Sequence, residues 1–316
     1  MTTTEDAPMK VTLISTVKEC AASADAFLAS LAAQTRAPDE VIIVDGGSSD
    51  GTADAYARDD RVTVIVEPGA NIARGRNVAL AAATHDVVAA TDADCELDAR
   101  WLEAIMGPIE AGADVSMGWY EPVLGSMFER CMASVNLPLH PDEVDPATFD
   151  PSARSVAFRR AAIDLVGGYP EWLAIGEDMW VDQRWRELGM DMRFAPDAVV
   201  RWRLRPGLAA TWRQYAGYAR GDAHAGMHPE RHALRFAVYA GLGLALASGR
   251  GWPRALAGAG ALAYAAGPVR RGLARTSGGR ERAIATAAVP ALMAFVDAAK
   301  MAGYASGLAD RLTRRA

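Results

Sequence analysis

An α/β domain built on a parallel sheet is the fold class this sequence predicts, and three observations predict it. Short β-branched runs alternate with helix-length segments through the first hundred residues. Each run is too short for a helix, and strands alternating with helices of about 10–15 residues argue βαβ units. Acidic, glycine-bearing clusters directly follow three of the runs, and in open parallel sheets ligands lie beyond the carboxyl ends of the strands.

The elements follow in order. Residues 11–16 (VTLIST) form the first expected strand, and 21–34 a helix with Phe27, Leu28 and Leu31 on one face. Residues 41–44 (VIIV) are a second buried strand, ended by the turn Asp45-Gly46-Gly47-Ser48. A helix is expected over 52–58, a strand over 62–66, a helix over 71–83 and a strand over 87–91. Residues 140–153 are turn-rich and expected to be a surface loop.

Composition and charge narrow the function classes. The net charge of −6 combines an acidic first part with a basic second part. Residues 1–200 carry 15 Lys+Arg against 34 Asp+Glu, and residues 201–316 carry 18 against 5. The basic part can face anionic lipid, nucleic acid or the acidic part of the chain itself. It is rich in Ala and Gly and lacks a nucleic-acid module with aromatics among its arginines, so anionic lipid is the expected partner and nucleic acid is not. Cys20, Cys95 and Cys131 lie far apart without metal-ligand spacing, and 1–8 is polar with no apolar leader pattern. A reducing cytoplasm is the expected compartment, with 1–8 disordered.

Three polar clusters then fall on one sheet edge: Ser15, Thr16 and Glu19 after the first strand, Asp45 and Gly46 after the second, and Asp92 and Asp94 after the strand at 87–91. An Asp just past a strand can accept from a base N–H, and a glycine lets a nucleotide approach the backbone. Two carboxylates two residues apart can share a hard cation that bridges a diphosphate. Taken singly, Asp-Gly-Gly-Ser is a turn and Asp-x-Asp a solvated loop. Registered behind three strands, they point to a nucleotide–metal site.

Those residues also carry a resemblance. Glu19, Ser30-Leu31, Gln34-Thr35, Pro38, the run from Glu40 to Asp45, Ser48, Asp50-Gly51-Thr52, Arg76-Asn77, Asp92-Ala93-Asp94, Gly167-Gly168-Tyr169 and Glu177-Asp178 together resemble a family 2 glycosyltransferase. The resemblance spans residues 10–221. It implies a GT-A fold (a Rossmann-like nucleotide-diphospho-sugar transferase domain), a UDP- or GDP-sugar donor, Mg²⁺ or Mn²⁺, and transfer to a glycan or lipid-linked hydroxyl, usually with inversion. By the same resemblance Asp45 contacts the base, Thr16 and Glu19 line the nucleotide pocket, and Arg76 meets base or phosphate. Asp94 holds the metal with Asp92 nearer the ribose, Asp178 is the base with Glu177 as fallback, and Arg220 meets the diphosphate with His224 as metal or phosphate neighbour. Many relatives carry two adjacent acids where this chain has Asp45-Gly46. A retaining transferase, a sugar-nucleotide pyrophosphorylase and a non-catalytic binding protein are the rival readings. The chain lacks a Gly-rich opening with Arg and Lys at the first strand and keeps both acidic pairs, which disfavours the last two.

The expected division is therefore a catalytic domain over 9–228 and an Ala/Arg-rich helical, membrane-associated region over 229–316. Its uncharged stretches 236–249, 255–269 and 283–296 each fall short of the roughly 20 residues that cross a bilayer comfortably. Two arrangements are compatible with them. The first two stretches can form a short or tilted hairpin held by the arginines from Arg270 to Arg282 on the cytoplasmic face, or all three helices lie in the interface or pack on protein. Between Val199 and Arg205, alternation places Arg201, Arg203 and Arg205 opposite Trp202 and Leu204. Residues 117–132 and 140–155 are read as acceptor loops, with Trp119, Tyr120 and Phe128 as candidate stacking groups.

Overall fold

The computed structural model describes residues 8–314. The expectation of disorder over 1–8 falls, apart from Pro8, outside the described residues. In chain order the elements are β1 (Val11–Val17), α1 (Ala21–Ala32), β2 (Glu40–Asp45), α2 (Thr52–Tyr56), β3 (Val62–Val66), α3 (Ile72–Ala82), β4 (Val87–Ala90), β5 (Glu96–Leu97), α4 (Trp101–Glu110), β6 (Val115–Val123), α5 (Met127–Asn136), β7 (Val156–Arg159), α6 (Arg160–Leu165), α7 (Glu177–Glu187), β8 (Met192–Arg203), α8 (Gly207–Ala225), α9 (Pro229–Ala247), α10 (Gly251–Ala274) and α11 (Gly279–Arg314).

The chain forms two compact units. The first holds the residues up to Pro122 together with Asp145–Arg203, and the second holds Val123–Val144 and everything from Leu204 onward. The expected boundary at 228 thus lies inside the second unit.

In unit one the strands make one eight-stranded sheet in the order β3-β2-β1-β4-β7-β6-β8-β5. β3, β2, β1 and β4 run parallel, while β7 is antiparallel to β4 and to β6. The β-branched runs of β1 and β2 are buried on both faces, as a parallel sheet covered by helices requires. Leu13 and Ile43 face a core with Phe27, Tyr56, Trp101 and Ile105, and their neighbours Ile14 and Ile42 face one with Leu80, Ile163, Val181 and Trp185. α3 begins where the Asn71 side chain accepts the Arg74 amide at 2.8 Å, an N-cap bond. It then presses onto β1 through Gly75, where an added Cβ would come within 2.8 Å of Thr16 Cγ2.

Residues 117–132, expected as a loop, are mostly regular: they hold the end of β6 and the first turns of α5. Trp119 is buried among Tyr120, Phe149 and Phe194, with ring centroids 5.9–6.3 Å away. The Trp and Tyr rings break the strict alternation that marks a half-buried strand, which is why β6 reads as irregular in sequence.

In unit two α11 runs along α8 at glycine-limited distance. A Cβ on Gly303 would lie 2.0 Å from the Ala216 carbonyl oxygen, and one on Gly307 2.7 Å from that of Arg220. α5 packs on α10 and α11: Arg271 donates to the Ser134 and Val135 carbonyls, and Arg130 pairs with Glu281 at 3.0 Å. The expected uncharged stretches fall in α9, α10 and α11, the first running two residues past the end of α9. Of the described helices only α11 is long and apolar enough to cross a membrane by length and composition, and 39% of its most apolar window is buried within the protein.

Candidate active site

Strand order fixes where the site lies. The chain builds β1, β2 and β3 toward one edge and then returns to place β4 on the other side of β1. A crevice opens at such a reversal, beyond the carboxyl ends of the strands. Asp45 closes β2 opposite Val17 of β1, and the Thr91 amide donates to the Ile14 carbonyl as β4 runs out. Asp92 and Asp94 follow directly.

The first cluster is a tied loop. Buried Asp45 accepts from the Ser48 hydroxyl at 2.6 Å and from its amide at 3.1 Å. The Glu19 amide donates to Ser48 Oγ at 2.8 Å, and the Glu19 carboxylate accepts the Ser49 amide at 2.9 Å. Glu19 adopts φ 50, a left-handed conformation that a non-glycine residue holds at a cost of order 1–3 kcal/mol when its surroundings enforce it. Gly46 sits at the same edge, and an added Cβ would come within 3.0 Å of the Ala70 carbonyl oxygen. Thr16 lies under Gly75, and the hydroxyl of Ser15 is buried without a hydrogen-bond partner.

The second cluster centres on a buried guanidinium. Arg76, 5% exposed, pairs through Nη1 with Glu177 and through Nη2 with Asp92 at 3.6 Å, and its plane lies 5.2 Å from the Tyr169 ring centroid. Tyr169 is held in turn by Asn77, which accepts the Tyr169 amide and donates to its carbonyl, both at 2.9 Å. The Arg76-Asn77 pair on α3 therefore anchors both the Gly-Gly-Tyr turn and the start of α7. Burial pushes the Glu177 carboxyl up, Arg76 opposes that, and neighbouring Asp178 adds to it. Asp178 is half-buried, its Oδ2 3.4 Å from the Ala153 amide and its Oδ1 2.9 Å from the Met179 amide.

Arg154 was missed by sequence reasoning. It meets Asp92 from another side at 3.5 Å, lies 4.6 Å from the Trp202 ring centroid, and takes part in a bond to Ser152 Oγ at 2.9 Å. It falls just past the turn-rich stretch 140–153, where nothing in the spacing pairs it with Asp92. Asp182, one helical turn beyond Asp178, is also buried, with Oδ2 unpartnered. Burial first, then Asp178 and Asp150, hold its carboxyl well above the usual carboxylate range.

A divalent cation fits this donor set. Asp94 is exposed and Asp92 half-buried beside it, and Mg²⁺-type sites use one or two carboxylates with phosphate and water completing the shell. Among the described residues no group of three or more His, Cys, Asp or Glu is assembled for a metal, so the protein would supply Asp92 and Asp94 and the diphosphate the rest. Cys95 is buried beside them, and burial and then the two carboxylates push its thiol up. Arg201 and Arg203 are exposed beside Trp202 and pair with Asp98 at 3.1 Å and Glu96 at 3.6 Å. Arg220 and His224 lie on α8 in unit two, both bonded to Asp310 of α11, at 2.7 and 2.9 Å.

The sequence model described as "Glycosyl transferase family 2" matches residues 12–165, the stretch holding every strand end just described. The chain carries a family 2 glycosyltransferase domain. An uncharacterized glycosyltransferase of Mycobacterium tuberculosis is 29% identical over 186 residues, 55% of this chain and 80% of that one. The solved mannosyltransferase PcManGT from Pyrobaculum calidifontis, in complex with GDP-Man and Mn²⁺, superposes with a TM-score of 0.54 at 20% identity, covering 96% of this chain and 88% of that one. TarS of S. aureus, in complex with UDP, gives 0.50 at 17% identity over 96% and 92%. At these identities the structures establish a GT-A fold for the glycosyltransferase domain.

Proposed function

We propose that this glycosyltransferase moves a sugar from a nucleoside-diphosphate sugar to a glycan or lipid-linked hydroxyl by direct displacement with inversion, aided by Mg²⁺ or Mn²⁺. The observation that carries the reading is the buried Arg76, held between Asp92 and Glu177 at the sheet reversal with Asp178 beside it. The GDP-Man and UDP bound to the two solved neighbours favour a nucleotide-sugar donor, and they leave both bases open.

In this scheme Ser15, Thr16, Glu19 and Gly46 line the nucleotide pocket and Asp45 accepts from the base. Asp94, with Asp92, would hold the cation, which when bound offsets charge on the diphosphate. Arg76 adds fixed positive charge where the C1–O bond to phosphate breaks. The acceptor oxygen bonds C1 from the opposite face as the nucleoside diphosphate leaves, and its proton passes to Asp178. Glu177 is the weaker candidate for base, because it is buried and engaged with Arg76. The basic, apolar second unit supports work at the cytoplasmic membrane face, with lipid as partner.

The test is Asp178→Asn, which keeps shape and hydrogen-bonding reach but removes the basic carboxylate. Turnover should fall about 10²–10⁴-fold, the usual contribution of a general base, while calorimetry shows unchanged nucleoside-diphosphate affinity. Near-normal turnover would remove Asp178 from the role.

A further inference from the structure

Unit two contains a groove of about 830 Å³ between α9, α10 and α11, within the size range of a small-molecule site. It follows α9 from Arg231 to Ala245, about 21 Å at 1.5 Å per residue. Leu234, Val238, Leu242, Leu256 and Met293 make its apolar walls. Its buried carboxylate, Asp297, is satisfied internally: it accepts from Arg235 at 2.8 Å, Tyr239 at 3.0 Å and Tyr264 at 3.1 Å. Exposed Arg231 lies at the end where α9 begins.

The groove is continuous with an open apolar surface. Leu234, Val238, Trp252 and Leu256 both line it and are exposed, and Leu244 and Leu262 on the same two helices are 73% and 75% exposed. Glycines keep it open: Gly241 and Gly260 line it, and an added Cβ at either would meet nothing within 4 Å.

We propose that this groove seats one hydrocarbon chain of an anionic membrane phospholipid, with the phosphate at Arg231. Four properties select that occupant. The walls are hydrocarbon, and the length exceeds the roughly 15 Å of one leaflet, half of a ~30 Å core, leaving room for the glycerol. The exposed arginine at that end favours phosphate even beside Glu230 of the same turn. The surrounding sequence is strongly basic, 18 Lys+Arg against 5 Asp+Glu over 201–316, which favours an anionic over a zwitterionic headgroup. The inference deepens the lipid-facing part of the proposed function and rests on it.

The experiment uses the full chain in detergent, mixed with phosphatidylglycerol or phosphatidylcholine, with bound lipids counted by native mass spectrometry. One phosphatidylglycerol per chain is expected, favoured about tenfold over phosphatidylcholine. Gly260→Phe places a ring in the groove and should lower occupancy about tenfold, with circular dichroism and melting unchanged. Arg231→Glu, on an exposed residue, should keep chain binding and abolish the headgroup preference. No retained lipid, equal retention by Gly260→Phe, or a lipid-free dimer that Gly260→Phe disrupts would each overturn the proposal. Nucleoside-diphosphate calorimetry on the same wild-type sample separates the two readings. Its failure removes the donor assignment alone, whereas donor binding without lipid removes the groove alone.

Discussion

Arg76 shows how a charged side chain can be both structural and electrostatic. It is buried against Glu177, Asp92 and the face of Tyr169. Removing one partner of a buried ion pair typically costs about 3–5 kcal/mol because the other charge is stranded. Arg76→Met should therefore destabilise by about that amount in urea unfolding, and adding Glu177→Gln should recover much of the loss. Asp182 makes a pH prediction. Its folded-state carboxyl is raised well above the ordinary value, so its contribution to stability is complete below the unfolded value of about 3.9 and is lost as pH rises through the folded value. Asp182→Asn should melt close to wild type near pH 4 and increasingly above it as pH rises. Parallel melting profiles would remove Asp182 ionisation as the cause. The acids at the strand ends were legible because the short β-branched runs fixed where each strand stops. Arg154 and Asp182 were not, since their importance comes from what the fold brings to Asp92 and Asp178.

Strands β1 to β4 were legible almost to the residue, because double-sided burial demands an unbroken apolar run. The antiparallel half was not, apart from the alternation near Arg201. β8 contains Pro196 and charged residues along its length, a pattern that argues against a central strand, and β6 ends in Glu121-Pro122-Val123. The helices of unit two hide their contacts differently. Gly303 and Gly307 form a small-xxx-small stripe in α11 whose partner, α8, no local pattern identifies. Gly303→Ala drives a methyl into the Ala216 carbonyl oxygen, and such overpacking typically costs about 1–3 kcal/mol. Gly258→Ala on α10 meets nothing within 4 Å and should be stabilising by roughly 0.4–1 kcal/mol. Denaturant midpoints of the two variants should move in opposite directions.

The split between an acidic first part and a basic, apolar second part was visible from charge counts alone. That residues 123–144 join the basic unit was not, because α5 is as polar as any surface helix until α10 and α11 cover it. The exposed leucines of α9 and α10 give a test of the lipid-facing reading. Leu244→Glu with Leu262→Glu in the full chain should reduce co-sedimentation with phosphatidylglycerol vesicles without altering helix content. Wild-type co-sedimentation should also weaken as salt rises from about 0.01 to 0.15 M, over which the Debye length shrinks from about 30 to 8 Å. Partition unchanged by both treatments would leave the apolar face as packing surface only.

The pairing of α5 with α10 also has a consequence in time. Ser134 accepts from Arg271, 137 residues later in the chain. At the about 5–20 residues per second of synthesis, the inner face of α5 (Cys131, Met132 and Val135 among its buried residues) waits roughly 7–27 s for its covering helices to be made. Unit one can complete its sheet in that interval. The nascent chain thus carries one uncovered apolar face of α5 through much of its translation, and slowing the ribosome between α5 and α10 should raise the fraction that aggregates or recruits a chaperone.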